Sequence, residues 1–312
     1  MMKCLYPYHD ELKKAAAGDT SKFKMNPAII HICAKLAKIS KRFVKIPKDF
    51  TRTEVHIKNC DNSSFSAELY SPRDIIEPAP CLIYYPGGGF VVGAYPYMHT
   101  IAMMYGRYAD CKVLFVNYRM ANETGMAGTM EDGYRALQFT FENAREMGID
   151  REKIVVGGDS AGATIATATA LMARDRKGPE ISGQMLMYPC TSIQPDTWSR
   201  QHFNNTPGIN SDWVEVFFQE ALKNGCSGYE EYMSPLKAES LKGLPFTYIE
   251  TEEFCPLRDE GNLYAKRLKE TNVPVIHREM KGTFHAFDSD YKIPMVQQII
   301  RERGKILSKM FC

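Results

Sequence analysis

A chain of 312 residues with 44% hydrophobic and 24% charged side chains can bury a sizeable core, and its composition is neither disordered nor fibrous. The formal net charge of +2 gives no global reason to expect a nucleic-acid partner. Nine cysteines without a Cys-x-x-Cys pair suggest neither a zinc site nor a disulfide framework, so no metal is expected.

Charge is uneven, because residues 1–58 hold 13 Lys and Arg against 5 Asp and Glu. A solvated helix face accounts for this, with an anionic surface partner as the alternative. The opening Met1-Met2-Lys3-Cys4-Leu5-Tyr6-Pro7-Tyr8 lacks the apolar centre of a secretion signal, and Asp10 and Glu11 follow at once. With no run of about 18 apolar residues either, the expectation is a reduced, cytoplasmic protein without stable membrane insertion.

In chain order, Ile29, Ile30, Ile32, Cys33, Leu36 and Ile39 recur with helical spacing, so the spacing predicts an amphipathic helix over 27–39. Strands are expected at 53–57 and 65–70, joined by a polar turn at 61–64. Strand 81–85, a helix at 98–109, strand 112–118 and a helix at 130–147 stopped by Gly148 come next. Then come strand 154–157, a helix from Ala163 to Met172, strand 181–188, strand 245–251, a helix at 259–270, strand 273–279 and a last helix from Pro294. Short apolar strands alternating with helices imply an α/β fold, its mainly parallel sheet covered on both faces. The stretch 195–236 breaks the alternation and holds both tryptophans, Trp198 and Trp213, among several Phe and Tyr. It reads as a lid over a pocket that also packs on the N-terminal helix, or as a small satellite core.

Chemistry concentrates at three points. Gly158-Asp159-Ser160-Ala161-Gly162 sits between the strand at 154–157 and the following helix, the setting of a nucleophile elbow. An N-capping serine in a glycine turn is the plainer alternative. Tyr85-Pro86-Gly87-Gly88-Gly89-Phe90 ends an earlier strand, where glycines let backbone N–H groups approach a ligand. His285 follows the last strand, downstream of the serine, as the order Ser…acid…His requires.

With these motifs the chain resembles the hormone-sensitive-lipase family of α/β-hydrolases, carboxylesterases with a His-Gly-Gly-Gly motif. The likeness is carried by Tyr85–Gly93, Asn117-Tyr118-Arg119, Gly158–Gly162, Ser234-Pro235-Leu236, Pro256–Gly261 and Gly282–His285, and it covers roughly residues 50–310. It implies an α/β-hydrolase fold with a helical cap: N-terminal cap helices in 1–50, a catalytic core in 51–194 and 237–312, and a cap insertion in 195–236. It implies Ser160 as nucleophile, His285 as general base and the N–H groups of Gly88, Gly89 and Ala161 as oxyanion hole. No cofactor is called for. A small ester is the expected partner, and a homodimer is an option the resemblance leaves open.

Two departures stand out. Pro86 replaces the motif histidine, removing an N–H that the oxyanion hole does not need. Cys255 stands where the family has the triad aspartate, and a neutral thiol is a poor counterpart for an imidazolium. Three replacements are open: Glu253, two residues back and on the same side in extended chain; Asp259, at the start of a helix; and Cys255 itself, ionised beside the imidazole. A bare Ser–His dyad is the remaining option. The expected activity is hydrolysis of small, short-acyl esters. The alternatives are a weakened hydrolase that binds a small ligand as a sensor, and amide cleavage by the same groups.

Overall fold

The computed structural model describes residues 5–17, 20–59, 61–194 and 196–312; Met1–Cys4 of the opening stretch and Pro195 of the insertion lie outside them. After two short 3₁₀ turns, α1 (Pro27–Ser40) begins with Asn26 as N-cap, its side chain accepting the Ile29 N–H, and Pro27 at the first helical position. Strands β1 (Phe50–Lys58) and β2 (Ser64–Pro72) form an antiparallel hairpin. Then follow β3 (Ala79–Tyr85), α2 (Pro96–Ala109), β4 (Lys112–Asn117), α3 (Ala121–Glu142), β5 (Ile149–Asp159) and α4 (Ala161–Asp175). Strand β6 (Gly183–Met187) leads to α5 (Trp198–His202), α6 (Ser211–Ala221) and α7 (Glu230–Met233). The chain closes with β7 (Phe246–Phe254), α8 (Arg258–Glu270), β8 (Val275–Phe284) and α9 (Pro294–Met310).

The eight strands form one sheet in the order β1-β2-β4-β3-β5-β6-β7-β8. Strands β3 to β8 pair in parallel and β2 runs antiparallel to both β1 and β4, so the expected mainly parallel sheet is found. Continuous apolar strands such as Cys81–Tyr85 and Val113–Val116 are buried on both faces, which is why they lack alternation. Helices α3, α4 and α8 pack on one face, and α2 and α9 on the other.

Several boundaries move: α3 ends at Glu142, where the Asn143 N–H bonds Phe139 O, rather than at Gly148, and β8 runs on to Phe284; two further shifts have plain physical reasons. Helix α3 starts nine residues before the expected Met130 because the chain is already helical at Ala121 and Gly125 (φ 72°) inserts a kink rather than a stop. Strand β5 extends back to Ile149 through Asp150–Lys153, whose polar, largely exposed side chains concealed their extended backbone.

Candidate active site

Strand β5 ends at Asp159 and α4 starts at Ala161, so Ser160 alone makes the turn, at φ 53° and ψ −122°. A non-glycine residue held in that region is strained and must be fixed by its surroundings. The Ser160 N–H donates to Met187 O at 2.9 Å. On either side, the glycines are dictated by packing: a Cβ on Gly158 would lie 2.3 Å from Tyr85 O, and one on Gly162 1.9 Å from it. The Gly-x-Ser-x-Gly spacing is thus set by contact with the end of β3, which carries the glycine loop.

His285 follows β8 in a turn completed by Ala286 at φ 55°. Its Nε2 is 3.0 Å from Ser160 Oγ, and its Nδ1 is 3.2 Å from Cys255 Sγ. Burial pushes the imidazole pKa down to about 4, against a smaller upward pull from Asp288, so the ring is neutral at neutral pH. A neutral imidazole with a free Nε2 lone pair can take a hydroxyl proton.

The other two candidate acids are engaged elsewhere. The Glu253 carboxylate accepts the Gly282 N–H at 2.7 Å and lies 3.7 Å from Lys281 Nζ. The same-side expectation for Glu253 and Cys255 fails because β7 loses its register with β8 between Glu252 and Phe254 and then leaves the strand. Asp259 accepts the Ser199 N–H at 2.8 Å and pairs with Arg258 Nε at 2.7 Å, tying α5 to α8. An ionised Cys255 is also disfavoured: burial, then the neighbouring Glu252 and Glu260, push its thiol pKa well up. The Leu257 N–H at 3.4 Å from Sγ only partly opposes this.

The glycine loop lies against the elbow. Asp159 accepts the Gly87 N–H at 3.1 Å and the Tyr84 hydroxyl at 2.6 Å, and Tyr118 OH donates to Pro86 O at 2.7 Å. Those bonds brace the loop where Pro86 replaces histidine. Gly88 (φ 123°) and Gly89 (φ 59°) take conformations that side chains resist, and Gly88 O accepts the N–H groups of Val91 and Val92. Gly89, Ala161 and Ser160 border one small cavity of about 20 Å³.

A profile of the alpha/beta hydrolase fold family matches residues 82–289. An arylesterase of Saccharolobus solfataricus is 30% identical over 207 residues, covering 66% of this chain and 67% of its own length. Esterase LipI of Mycobacterium tuberculosis is 33% identical over 210 residues, covering 67% of this chain and 66% of its own length. The crystal structure of esterase LipW from Mycobacterium marinum superposes with a TM-score of 0.88 at 25% identity, over 98% of this chain and 96% of that one. This chain is an α/β-hydrolase of the hormone-sensitive-lipase-like family.

Three supporting residues of this hydrolase escape a motif reading. Asp288 accepts from Tyr188 OH at 2.8 Å and from Arg303 Nη1 at 2.5 Å, and Tyr188 stands edge-on to the His285 ring with centroids 4.8 Å apart. Arg303, fully buried on α9, also pairs with Glu250 of β7. This network pins the turn carrying His285 to the sheet and to the last helix. The available signal was Arg303 itself, in register with Val296, Ile300 and Leu307 on the apolar face of α9.

The aromatic stretch after β6 packs on both the site and the N-terminal segment. Phe217 of α6 covers Gly89 so closely that a Cβ there would lie 2.5 Å from its ring. Trp213 Nε1 donates to Phe23 O at 2.8 Å, and Tyr6 OH donates to Asn205 Oδ1 at 2.7 Å.

Proposed function

We propose that this hydrolase is a serine carboxylesterase acting on small, short-acyl esters, with Ser160 and His285 as its reacting pair. Ser160 Oγ attacks the ester carbonyl while His285 Nε2 takes its proton. The oxygen of the tetrahedral intermediate is held by the N–H groups of Gly88, Gly89 and Ala161, and by the start of α4. His285 then gives the proton to the departing alcohol, and water repeats the sequence on the acyl-enzyme. The observation that carries this reading is the 3.0 Å Nε2–Oγ approach at a strained elbow.

Short acyl groups are favoured because Phe217 and Phe218 line a narrow cavity beside Ser160 of about 20 Å³. Residues 196–236 and the N-terminal segment act together as the cap, a role supported by the contacts of Phe217 with Gly89 and of Trp213 with Phe23. Names of the relatives above favour an esterase over a sensor.

The test is nitrophenol release from nitrophenyl acetate and longer homologues. Wild type is expected to turn over, with Ser160→Ala at least ~10³-fold slower. Equal inactivity of the two would remove the enzymatic reading.

A further inference from the structure

Helix α1 is apolar on two opposite sides, and only one is used. Ile30 and Ala37 face inward and are buried. On the outer side, Ile32, Leu36 and Ile39 are 55%, 55% and 52% exposed, and Phe43 just past the helix is 72% exposed. Steps of four, three and four residues place these four in line. Single exposed apolar side chains are ordinary, but an aligned stripe marks an interaction surface.

Along the segment that carries the stripe the charge is of one sign, although the exposed Glu123 lines the same cavity as Lys35 and Lys38. Residues 20–48 contain eight Lys and Arg and no Asp or Glu. Seven of them, including Lys35, Lys38 and Arg42, are exposed; among the described residues only Lys41 of the eight is ion-paired, with Glu68 at 2.7 Å. A solvated helix face explains the lysines but leaves the four large apolar side chains without a reason.

We propose that this face docks the protein peripherally on an anionic lipid surface, with Ile32, Leu36, Ile39 and Phe43 entering the headgroup boundary and the flanking cations meeting acidic headgroups. Apolar stripe and cationic flank are the two attractions such a surface uses together. A second copy of this chain fits less well, because a two-fold contact would set the cations of residues 20–48 against themselves. A nucleic acid would use the cations but not the aliphatic side chains. The helix lies on the surface and does not span it: among the described residues no helix is long and apolar enough to cross a membrane. The flank of α1 that carries Lys35 and Lys38 borders a cavity of about 530 Å³ that also touches Val91 and Gly93, just past the glycine loop, which places the docking face next to the candidate site. The proposal does not rest on the ester reading, since vesicle binding is measured without turnover.

Full-length protein is sedimented with phosphatidylcholine vesicles and with vesicles that also contain phosphatidylglycerol, while melting curves and sedimentation velocity report folding and oligomeric state. Expected is binding that requires phosphatidylglycerol and weakens in high salt. Lys35→Glu with Lys38→Glu should lower the partition coefficient at least tenfold, since each cation near such a surface is worth about fivefold. Leu36→Ser with Ile39→Ser should lower it by a similar factor at unchanged salt, and neither pair should alter the melting temperature, because all four positions are exposed. No binding to either vesicle, equal binding to both, or full binding by the serine pair would overturn the proposal. So would a wild-type dimer that the serine pair converts to monomer.

Discussion

At Cys255 the chemistry turns on a difference between a thiol and a carboxylate that is easily overlooked. A carboxylate only accepts, so it obliges the histidine to carry its proton on Nδ1 and leaves Nε2 open to the serine. A thiol both donates and accepts. With S–H directed at His285 Nδ1, 3.2 Å away, the ring would hold its proton on Nε2 and could not act as base. The imidazolium formed during attack faces a further cost, because a pKa of about 4 against 6.5 amounts to about 3 kcal/mol. Cys255→Asp is therefore expected to raise kcat/KM on short nitrophenyl esters by at least about tenfold and at most ~10⁴-fold, the loss seen when such an acid is neutralised. The acidic limb of its pH–rate profile should move up by more than one unit, since a buried carboxylate favours the charged ring. An unchanged rate with an unchanged limb would mean that the thiol is not what limits this site.

Among the elements, α6 and the glycine loop decide what can reach Ser160. Phe217 lies on Gly89 and Phe218 helps line the cavity, so in the proposed esterase one short helix narrows the acyl side. Phe217→Ala should shift the preference along a nitrophenyl ester series from acetyl toward longer chains, with a several-fold gain in kcat/KM for the longer members. Gly89→Ala should do the reverse: its Cβ meets the Phe217 ring at 2.5 Å and its φ of 59° resists a side chain, so the donor loop must move. A loss of ~10²-fold or more is expected, the worth of one oxyanion donor. A chain-length profile that Phe217→Ala leaves untouched would show that another wall sets acyl length. In the sequence α6 is visible only as part of an aromatic insertion; its aromatic content signals burial, but nothing in the spacing brings Phe217 to Gly89.

Across the whole molecule, what could be read in advance was whatever local chemistry imposes. The apolar runs at Cys81 and Val113, the glycines flanking Ser160 and the helical spacing after Asn26 each carry their conformation with them. What could not be read depended on groups distant in sequence. Arg303 finds Glu250 and Asp288 only when α9 crosses the sheet, and the partner of His285 depended on a register break after Glu252. The same long-range burial gives the fold a dependence on pH that its composition conceals. His285, neutral and buried, has a native pKa near 4 against 6.5 unfolded, so the unfolded chain binds the extra proton and stability falls as pH drops between those values. Asp159, raised mainly by burial to about 7 from 3.8, works in the opposite direction: the native state holds the extra proton, and stability falls as pH rises through that interval. The two opposing contributions, about 3 and about 4 kcal/mol, overlap between roughly pH 4 and 6.5 and largely mask each other. Single variants should separate them in urea titrations across this range. Relative to His285→Gln, wild type should lose stability toward pH 4; relative to Asp159→Asn, it should lose stability toward pH 7. A flat difference curve for either variant would mean that the group titrates alike in the folded and unfolded chain, and that its burial is relieved by water.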